Sequence, residues 1–374
     1  MSKVVVKPVG TRRERTQFLS FPWQLYQNDP NWVPPLRIDQ AEMVGYRHHP
    51  FFQRNRAQTF LATRGGKVCG RVAAILNQDH LDRHADGRGF FGFFECVDDQ
   101  ETANTLFDAV RAWHATQGIE GLRGPMNPGL NYVPGMLVEG FDSPPTIMMA
   151  YNPSYYGRLV GDYGFQQVQD FYAFYGHRNQ LDKSTAKLGP ISEQIVERYN
   201  VQVRPINRRR FVQDVEAFID IYNQSMDGHW GFTPMSNAEV RHLAAGLKWL
   251  IVPELAVAAE IDGKLVGACF ALLDYNPRIK KIDGRLFPFG LVRLLWNRRQ
   301  IKKVRLMAAN VLPEYQMMGI GLVLLRAITP MAEKWGLEEC EYSWVAESNR
   351  LSRGSLEKGG AERVKTYRVY DWAG

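Results

Sequence analysis

Apolar and polar positions follow the same order twice along the chain. Near the start, the β-rich run SKVVVKPVG precedes an aromatic, helical segment around Phe21-Pro22-Trp23-Gln24-Leu25-Tyr26. Two strand-like runs in AQTFLATRGGKVCGRVAAILN then flank Gly65-Gly66-Lys67, which predicts a hairpin because glycines accept the positive φ of tight turns. In the second half VQVRPIN is again a short strand, and DVEAFIDIYNQSM and NAEVRHLAAGLKWL carry the apolar spacing of amphipathic helices. ELAVAAEIDGKLVGACFALLD is then a second hairpin, turning at Asp262-Gly263-Lys264.

Each hairpin leads into a strand, a helix and another strand. In the first half these are FFGFFECV, ETANTLFDAVRAWHATQGI and a Gly/Pro-rich stretch from Leu122; in the second, KVRLMAANV, GIGLVLLRAITPMAEKW and ECEYSWV. Pro330 is expected to kink the second of these helices. Both halves close on a helix–Gly–strand pattern, PSYYGRLVGDYGFQQVQDFYAFY and RLSRGSLEKGGAERVKTYRVY. The pattern predicts two copies of one α+β unit, residues 1–176 and 201–374, joined by a polar linker at 177–200.

With 374 residues, 45% hydrophobic and 23% charged, the chain has the composition of a folded protein and a length that suits two domains of roughly 100–200 residues each. Cys69, Cys96, Cys269 and Cys340 stand far apart with no CxxC, so they read as buried thiols in a reducing cytoplasm, and neither a disulfide framework nor a metal is expected. The N-terminus lacks an apolar signal core, and no apolar run approaches the ~18 residues of a membrane span. A net charge of +7 favours an anionic partner.

The chemistry concentrates where a β-rich run ends at Val311 and a helix opens on two glycines, Val311-Leu-Pro-Glu-Tyr-Gln316-Met317-Met318-Gly319-Ile320-Gly321. N–H groups at a helix start are unpaired, the helix dipole adds positive potential, and glycine lets an anion approach the backbone. These residues resemble motif A of the GNAT superfamily of acyl-CoA N-acyltransferases, Gln/Arg-x-x-Gly-x-Gly/Ala after a strand, although Met317 stands where many members have glycine. The resemblance implies that Val311, Gln316, Met317, Met318, Gly319, Ile320 and Gly321 hold the pyrophosphate of coenzyme A, with acyl-CoA as co-substrate. It also implies the fold: two tandem GNAT-like units of the α/β (α+β) class, each a mixed, mostly antiparallel sheet flanked by helices.

Asn349-Arg-Leu-Ser352 and Leu356-Glu-Lys-Gly-Gly360 look like the family's second motif, which implies contacts from Asn349 and Ser352 to the pantetheine arm. A splay between about 305–311 and 341–346 would hold the thioester. Leu356 occupies the place of the usual Tyr that protonates the leaving thiolate, so Tyr342 and Tyr367 become candidates for that acid. In the first half the matching junction, Cys96-Val-Asp98-Asp99-Gln-Glu101, has no glycine pair, and its carboxylates would repel a pyrophosphate. That unit is expected to be degenerate and to bind no coenzyme A, its role being to build the acceptor or acyl-chain pocket.

Direct transfer to an amine needs a base, for which Glu347, beside Asn349, and His229, in the loop between two helices, are candidates; either also reads as an ordinary polar residue. Asn127, Asn131, Tyr132 and Asp142, in the Gly/Pro-rich stretch, and Trp230 are candidates for the acceptor pocket. The insertion at 276–303 sets Phe287, Phe289, Leu294, Leu295 and Trp296 among basic clusters from Arg278 to Lys303. That pattern suits an anionic membrane surface better than nucleic acid, although a packed insertion with a solvated basic edge fits it too.

The expectation is a cytoplasmic acyl-CoA-dependent N-acyltransferase, peripheral at the inner face of the membrane, acting on a lipid-like amine. The whole-chain pattern is similar to bacterial two-unit GNAT proteins and to bacterial ceramide synthases. Two alternatives stay open: an acetyl-CoA-dependent N-acetyltransferase of a small molecule or peptide, and a non-catalytic acyl-CoA-binding, membrane-associated protein. The sequence leaves the oligomeric state open.

Overall fold

Cap and turn residues set the element boundaries. Thr11 and Glu14 form a reciprocal capping box that starts the first helix, and Ser236 and Glu239 do the same in the second half. Asp262 (φ 50°) and Gly263 (φ 76°) take the left-handed conformations that the second hairpin requires. The computed structural model describes residues 2–373, with side chains for all of these except 180–188.

The first half runs β1 (Val4–Pro8), α1 (Arg12–Leu25), α2 (Arg37–Met43), β2 (Arg56–Arg64), β3 (Lys67–Leu76), α3 (Gln78–His84), β4 (Arg88–Cys96), α4 (Gln100–Ala115), β5 (Gly121–Gly124), β6 (Met126–Asn127), β7 (Val133–Pro134), β8 (Met136–Glu139), α5 (Tyr156–Tyr163) and β9 (Gln166–His177). The second half runs α6 (Arg178–Tyr199), β10 (Gln202–Pro205), α7 (Phe211–Ser225), α8 (Asn237–Leu247), β11 (Ala256–Ile261), β12 (Lys264–Leu273), α9 (Asn276–Lys281), α10 (Gly290–Leu295), β13 (Lys303–Val311), α11 (Ile320–Lys334), β14 (Glu339–Ala346), α12 (Arg350–Lys358) and β15 (Glu362–Trp372). The segment expected as a polar linker is helical, since α6 spans it. Helix α11 runs through Pro330 as one element.

Two compact units result. Unit 1 takes Met1–Phe171, Asn276–Leu291 and Lys365–Gly374; unit 2 takes Tyr172–Tyr275 and Val292–Val364. The insertion at 276–303 therefore divides between them. Its first part is tied within unit 1 by Trp23 Nε1 donating to Asp283 Oδ1 at 2.5 Å, by an Arg37–Asp283 ion pair at 2.6 Å and by Asn276 Nδ2 donating to the Pro145 carbonyl at 2.7 Å.

In unit 1 the strands lie in the order β1-β2-β3-β4-β5-β15, with β8 also on β15, and β4–β5 is a parallel pair among antiparallel ones. Leu106, Phe107 and Val110 of α4 pack with Phe91, Phe94, Leu159 and Tyr370 in the core, each large side chain contributing roughly 1.5–3 kcal/mol by burial. In unit 2 the order is β9-β14-β13-β12-β11-β10; β10 to β13 pair antiparallel and β13–β14 pair parallel. Helix α11 buries Ile320, Val323, Leu324 and Ile328, and α7 buries Phe211, Val215 and Ile221. The hydrophobic effect fixes both frames.

Candidate active site

Strands β13 and β14 pair only at their starts. Lys303 faces Glu339, Val304 faces Cys340, Arg305 faces Glu341 and Leu306 faces Tyr342, where the register ends. Strand β13 continues beside β12 as far as Val311 opposite Gly267, and the register there skips from Leu306/Ala271 to Ala308/Phe270. Met307 is thus an extra residue, a β-bulge, and bulges re-aim a strand.

The bulge changes which amides face the gap. Leu312 N–H donates to the Val266 carbonyl at 2.9 Å. Backbone groups alternate between a strand's two sides, so those of Asn310 and Ala308 turn to β12 and those of Ala309 and Val311 turn to the gap. Ala309 is exposed in an interior strand, flanked by half-buried Ala308 and Asn310, while Val266–Cys269 of β12 are buried. A narrow slot with small side chains and an inward amide can take an extended ligand and hydrogen-bond its carbonyl.

The slot leads to the start of α11. After β13 a short 3-10 turn, Pro313–Met318, is held to the strand by Gln316 Nε2, which donates to the Val311 carbonyl at 3.2 Å. Gly319 (φ 77°) turns the chain into the helix in a left-handed conformation that favours glycine, and a Cβ there would also press on the end of the Ile195 side chain, 2.6 Å from its Cδ1. The helical ladder begins with Leu322 N–H to the Gly319 carbonyl at 3.0 Å, which leaves the N–H groups of Gly319, Ile320 and Gly321 ahead of it. The first turn carries no acidic residue, and a Cβ at Gly321 would meet nothing within 4 Å. Open backbone, unopposed dipole and a 15-residue helix fit a pyrophosphate. Met317 is 88% exposed and Met318 half-buried.

The other candidates of unit 2 sit as follows. Asn349 N-caps α12, its Oδ1 accepting from Ser352 N–H at 3.0 Å; Ser352 itself is exposed. Glu347 has an exposed side chain just past β14, and its carbonyl accepts from Arg353 Nη1 at 2.8 Å. Tyr342 packs with Leu356 on a cluster of Tyr172, Phe174 and Val345, and burial pushes its phenol well above the usual range. Neighbouring Cys340 is likewise pushed up to about 12 by burial. Half-buried His229 and Trp230 follow α7, with His229 Nδ1 lying 3.2 Å from the Met226 carbonyl. The end of α7 is tied to β13, since Asn310 Nδ2 donates to Ser225 Oγ at 2.7 Å.

Unit 1 repeats the frame and fills its gap. Strands β4 and β5 pair from Arg88/Gly121 to Phe90/Arg123, and β4 carries its own register shift at Phe93 (φ 50°). Asn127 Oδ1 accepts from Phe93 N–H at 2.5 Å, and Asn127 Nδ2 donates to the Val133 carbonyl at 3.0 Å. A Cβ on Gly92 would stand 1.9 Å from the Met126 carbonyl, so the chain itself closes this slot. At the start of α4, Asp99 caps Thr102 N–H at 2.8 Å and pairs with Arg64 at 2.6 Å, where an anion would otherwise sit. Tyr132 meets Phe51 and His49 edge to face, with centroids at 5.8 and 5.6 Å; Asn131 is half-buried and Asp142 exposed. Tyr367 of β15 is buried within the same unit.

Sequence reasoning missed one buried polar set at the neck of the slot, formed by Arg305, Glu341 and Ser343. A charged residue inside each of two strand runs was its available signal. Among the described residues no group of three His, Cys, Asp or Glu could hold a metal ion, and no helix is long and apolar enough to cross a membrane.

Comparison with known proteins accords with this geometry. Residues 215–360, which contain the slot and the helix start, match the Acetyltransferase (GNAT) family. The chain is 34% identical to "Bacterial ceramide synthase" of Caulobacter vibrioides, covering 98% of this chain and 97% of that one. It is 31% identical to "Protein YghO" of Escherichia coli, covering 98% and 95%. A tandem GNAT protein from the clavulanic acid biosynthesis pathway shares the fold with a TM-score of 0.55 at 11% identity, covering 99% and 98%. The chain belongs to the GNAT family of acyltransferases, which use acyl-CoA as co-substrate, and is an N-acyltransferase.

Proposed function

We propose that this enzyme transfers a long acyl chain from acyl-CoA to the amine of a sphingoid-type lipid, working at an anionic membrane surface on the cytoplasmic side. The observation that carries the reading is the exposure of Phe287 (87%) and Phe289 (68%) in unit 1 and of Trp296 (73%) in unit 2, where Arg293, Arg298 and Arg299 accompany it in the sequence. Aromatic and basic side chains together bind an anionic interface, each cation adding ~1 kcal/mol near the surface. The whole-chain identity with a relative named as a ceramide synthase supports the same substrate class.

The chain's own groups supply the parts of the reaction. The amides of Gly319, Ile320 and Gly321 would hold the pyrophosphate, with Gln316 bracing the loop and Asn349 fixing the start of α12 beside the pantetheine arm. The amide of Ala309 would donate to the thioester carbonyl as it gains charge on attack. Tyr342 would stand in for the missing acid at Leu356: the two pack on one cluster and the phenol is protonated at neutral pH, although burial also makes it a weaker acid than a solvated tyrosine. His229 or Glu347 would take the proton that the amine gives up.

The test replaces Phe287, Phe289 and Trp296 together by Ser. Because all three are exposed, the fold should hold its melting temperature, while co-sedimentation with anionic liposomes and turnover of liposome-borne amine fall about tenfold or more. Unchanged liposome binding and turnover would contradict the membrane reading.

A further inference from the structure

We propose that Arg305 is the positioning residue that keeps β13 and β14 apart and so holds the slot open for the thioester end of the acyl-CoA. The inference rests on the acyl-CoA reading of that slot. The ladder between these strands opens with Glu339 N–H donating to the Lys302 carbonyl at 3.1 Å. By alternation, Glu341 also turns its backbone groups toward β13. The ladder ends at Leu306 and Tyr342. Past the bulge at Met307, Ala308 faces Phe270 of β12 and offers β14 no amide.

Arg305 supplies the substitute. Its Nη2 donates to the Ser343 carbonyl at 3.2 Å and its Nε to Ser343 Oγ at 2.9 Å. The guanidinium is itself fixed, because Ser343 Oγ donates to Glu341 Oε1 at 2.8 Å and the Trp344 ring lies under the Arg305 Cζ at 4.8 Å. Lys303 Nζ, 3.7 Å from Glu341 Oε2, adds a second cation to the set. Arg305, Glu341 and Ser343 are all buried. A buried carbonyl left without a donor is costly, and a lysine, with its donors on a single rotatable nitrogen, lacks the rigid planar fork that reaches both Ser343 oxygens from two fixed nitrogens. The side chain thus ties β13 to β14 just beyond the end of their backbone ladder and fixes the splayed geometry.

The experiment compares Arg305→Lys with the wild-type chain by calorimetry, using a long-chain acyl-CoA and the fragment 3′-phosphoadenosine 5′-diphosphate, which reaches only the start of α11. The expected result is acyl-CoA binding weaker by about tenfold with fragment binding within about twofold of wild type. Equal weakening of both ligands, as general damage would produce, overturns the inference, and so does unchanged acyl-CoA binding. If Arg305→Lys does not fold, Ser343→Ala removes one anchor of the same fork; a loss of about threefold confined to acyl-CoA is expected, and no loss overturns the inference. A wild-type chain that binds neither ligand would refute the acyl-CoA reading itself and this inference with it.

Discussion

Phe93 donates its N–H to the side chain of Asn127 at 2.5 Å, at the residue where β4 slips register against β3. In unit 2 the matching slip falls at Met307, beside a slot lined by exposed Ala309. One frame therefore carries a self-filled slot and an open one. Asn127→Ala should leave a partly buried N–H without its acceptor and destabilise the protein by about 1–3 kcal/mol, with the affinity for acyl-CoA unchanged. Denaturant unfolding and calorimetry on the same variant check both halves of that statement. A raised KM for the amine with no loss of stability would instead make Asn127 a substrate contact.

At the open slot, Gly321 is the glycine to replace. A Cβ there meets nothing within 4 Å, whereas Gly319 combines a left-handed φ with a contact at 2.6 Å. Gly321→Asp should therefore keep the melting temperature and lose acyl-CoA binding by about a hundredfold, since a carboxylate would occupy the anion's place and oppose its charge. Retained affinity would sink the assignment of the helix start to the pyrophosphate.

Tyr342→Phe removes the hydroxyl from the cluster it shares with Leu356 and little else. With the phenol as acid, kcat should fall by roughly 10²–10⁴-fold while the Kd for acyl-CoA holds. A kcat within a factor of about two of wild type would return the role to another group.

The pH dependence of stability has an identifiable source in unit 1. His114 is buried on α4, its Nε2 donating to the Phe90 carbonyl at 2.9 Å, and burial lowers its pKa to about 4 from an ordinary 6.5. Between those values the unfolded chain holds a proton that the folded one does not, so stability falls as pH drops, by about 3 kcal/mol across the window. His114→Gln keeps an N–H donor without a titration there, and unfolding free energies from pH 7 down to pH 4 should show a flatter slope. A slope equal to that of wild type would assign the acid sensitivity elsewhere.

The sequence was most readable where local chemistry decides structure. Gly65-Gly66 and Asp262-Gly263 announce their hairpins because few other residues accept those φ values, and the run KVRLMAANV coincides with β13. Gly319 and Gly321 stood out because a strand ending on two glycines before an apolar helix is a local pattern. What stayed hidden depends on partners far along the chain. Asn127 reads from the sequence as a candidate pocket residue, and its bond to the Phe93 amide is not legible there because the two lie 34 positions apart. Arg305 and Ser343 are 38 apart, and each alone reads as a polar residue inside a strand. Residues 276–291 read as part of the second unit, because the contacts of Asp283 with Trp23 and Arg37 span 260 and 246 positions.

The central claim is long-chain transfer to a lipid amine, and it is met most directly by measuring thiol release from acyl-CoAs of increasing chain length with a sphingoid base in anionic liposomes. The account predicts that kcat/KM rises with chain length and that an N-acylated base accumulates in equal amount to the thiol. Turnover confined to acetyl-CoA with a small water-soluble amine would contradict it.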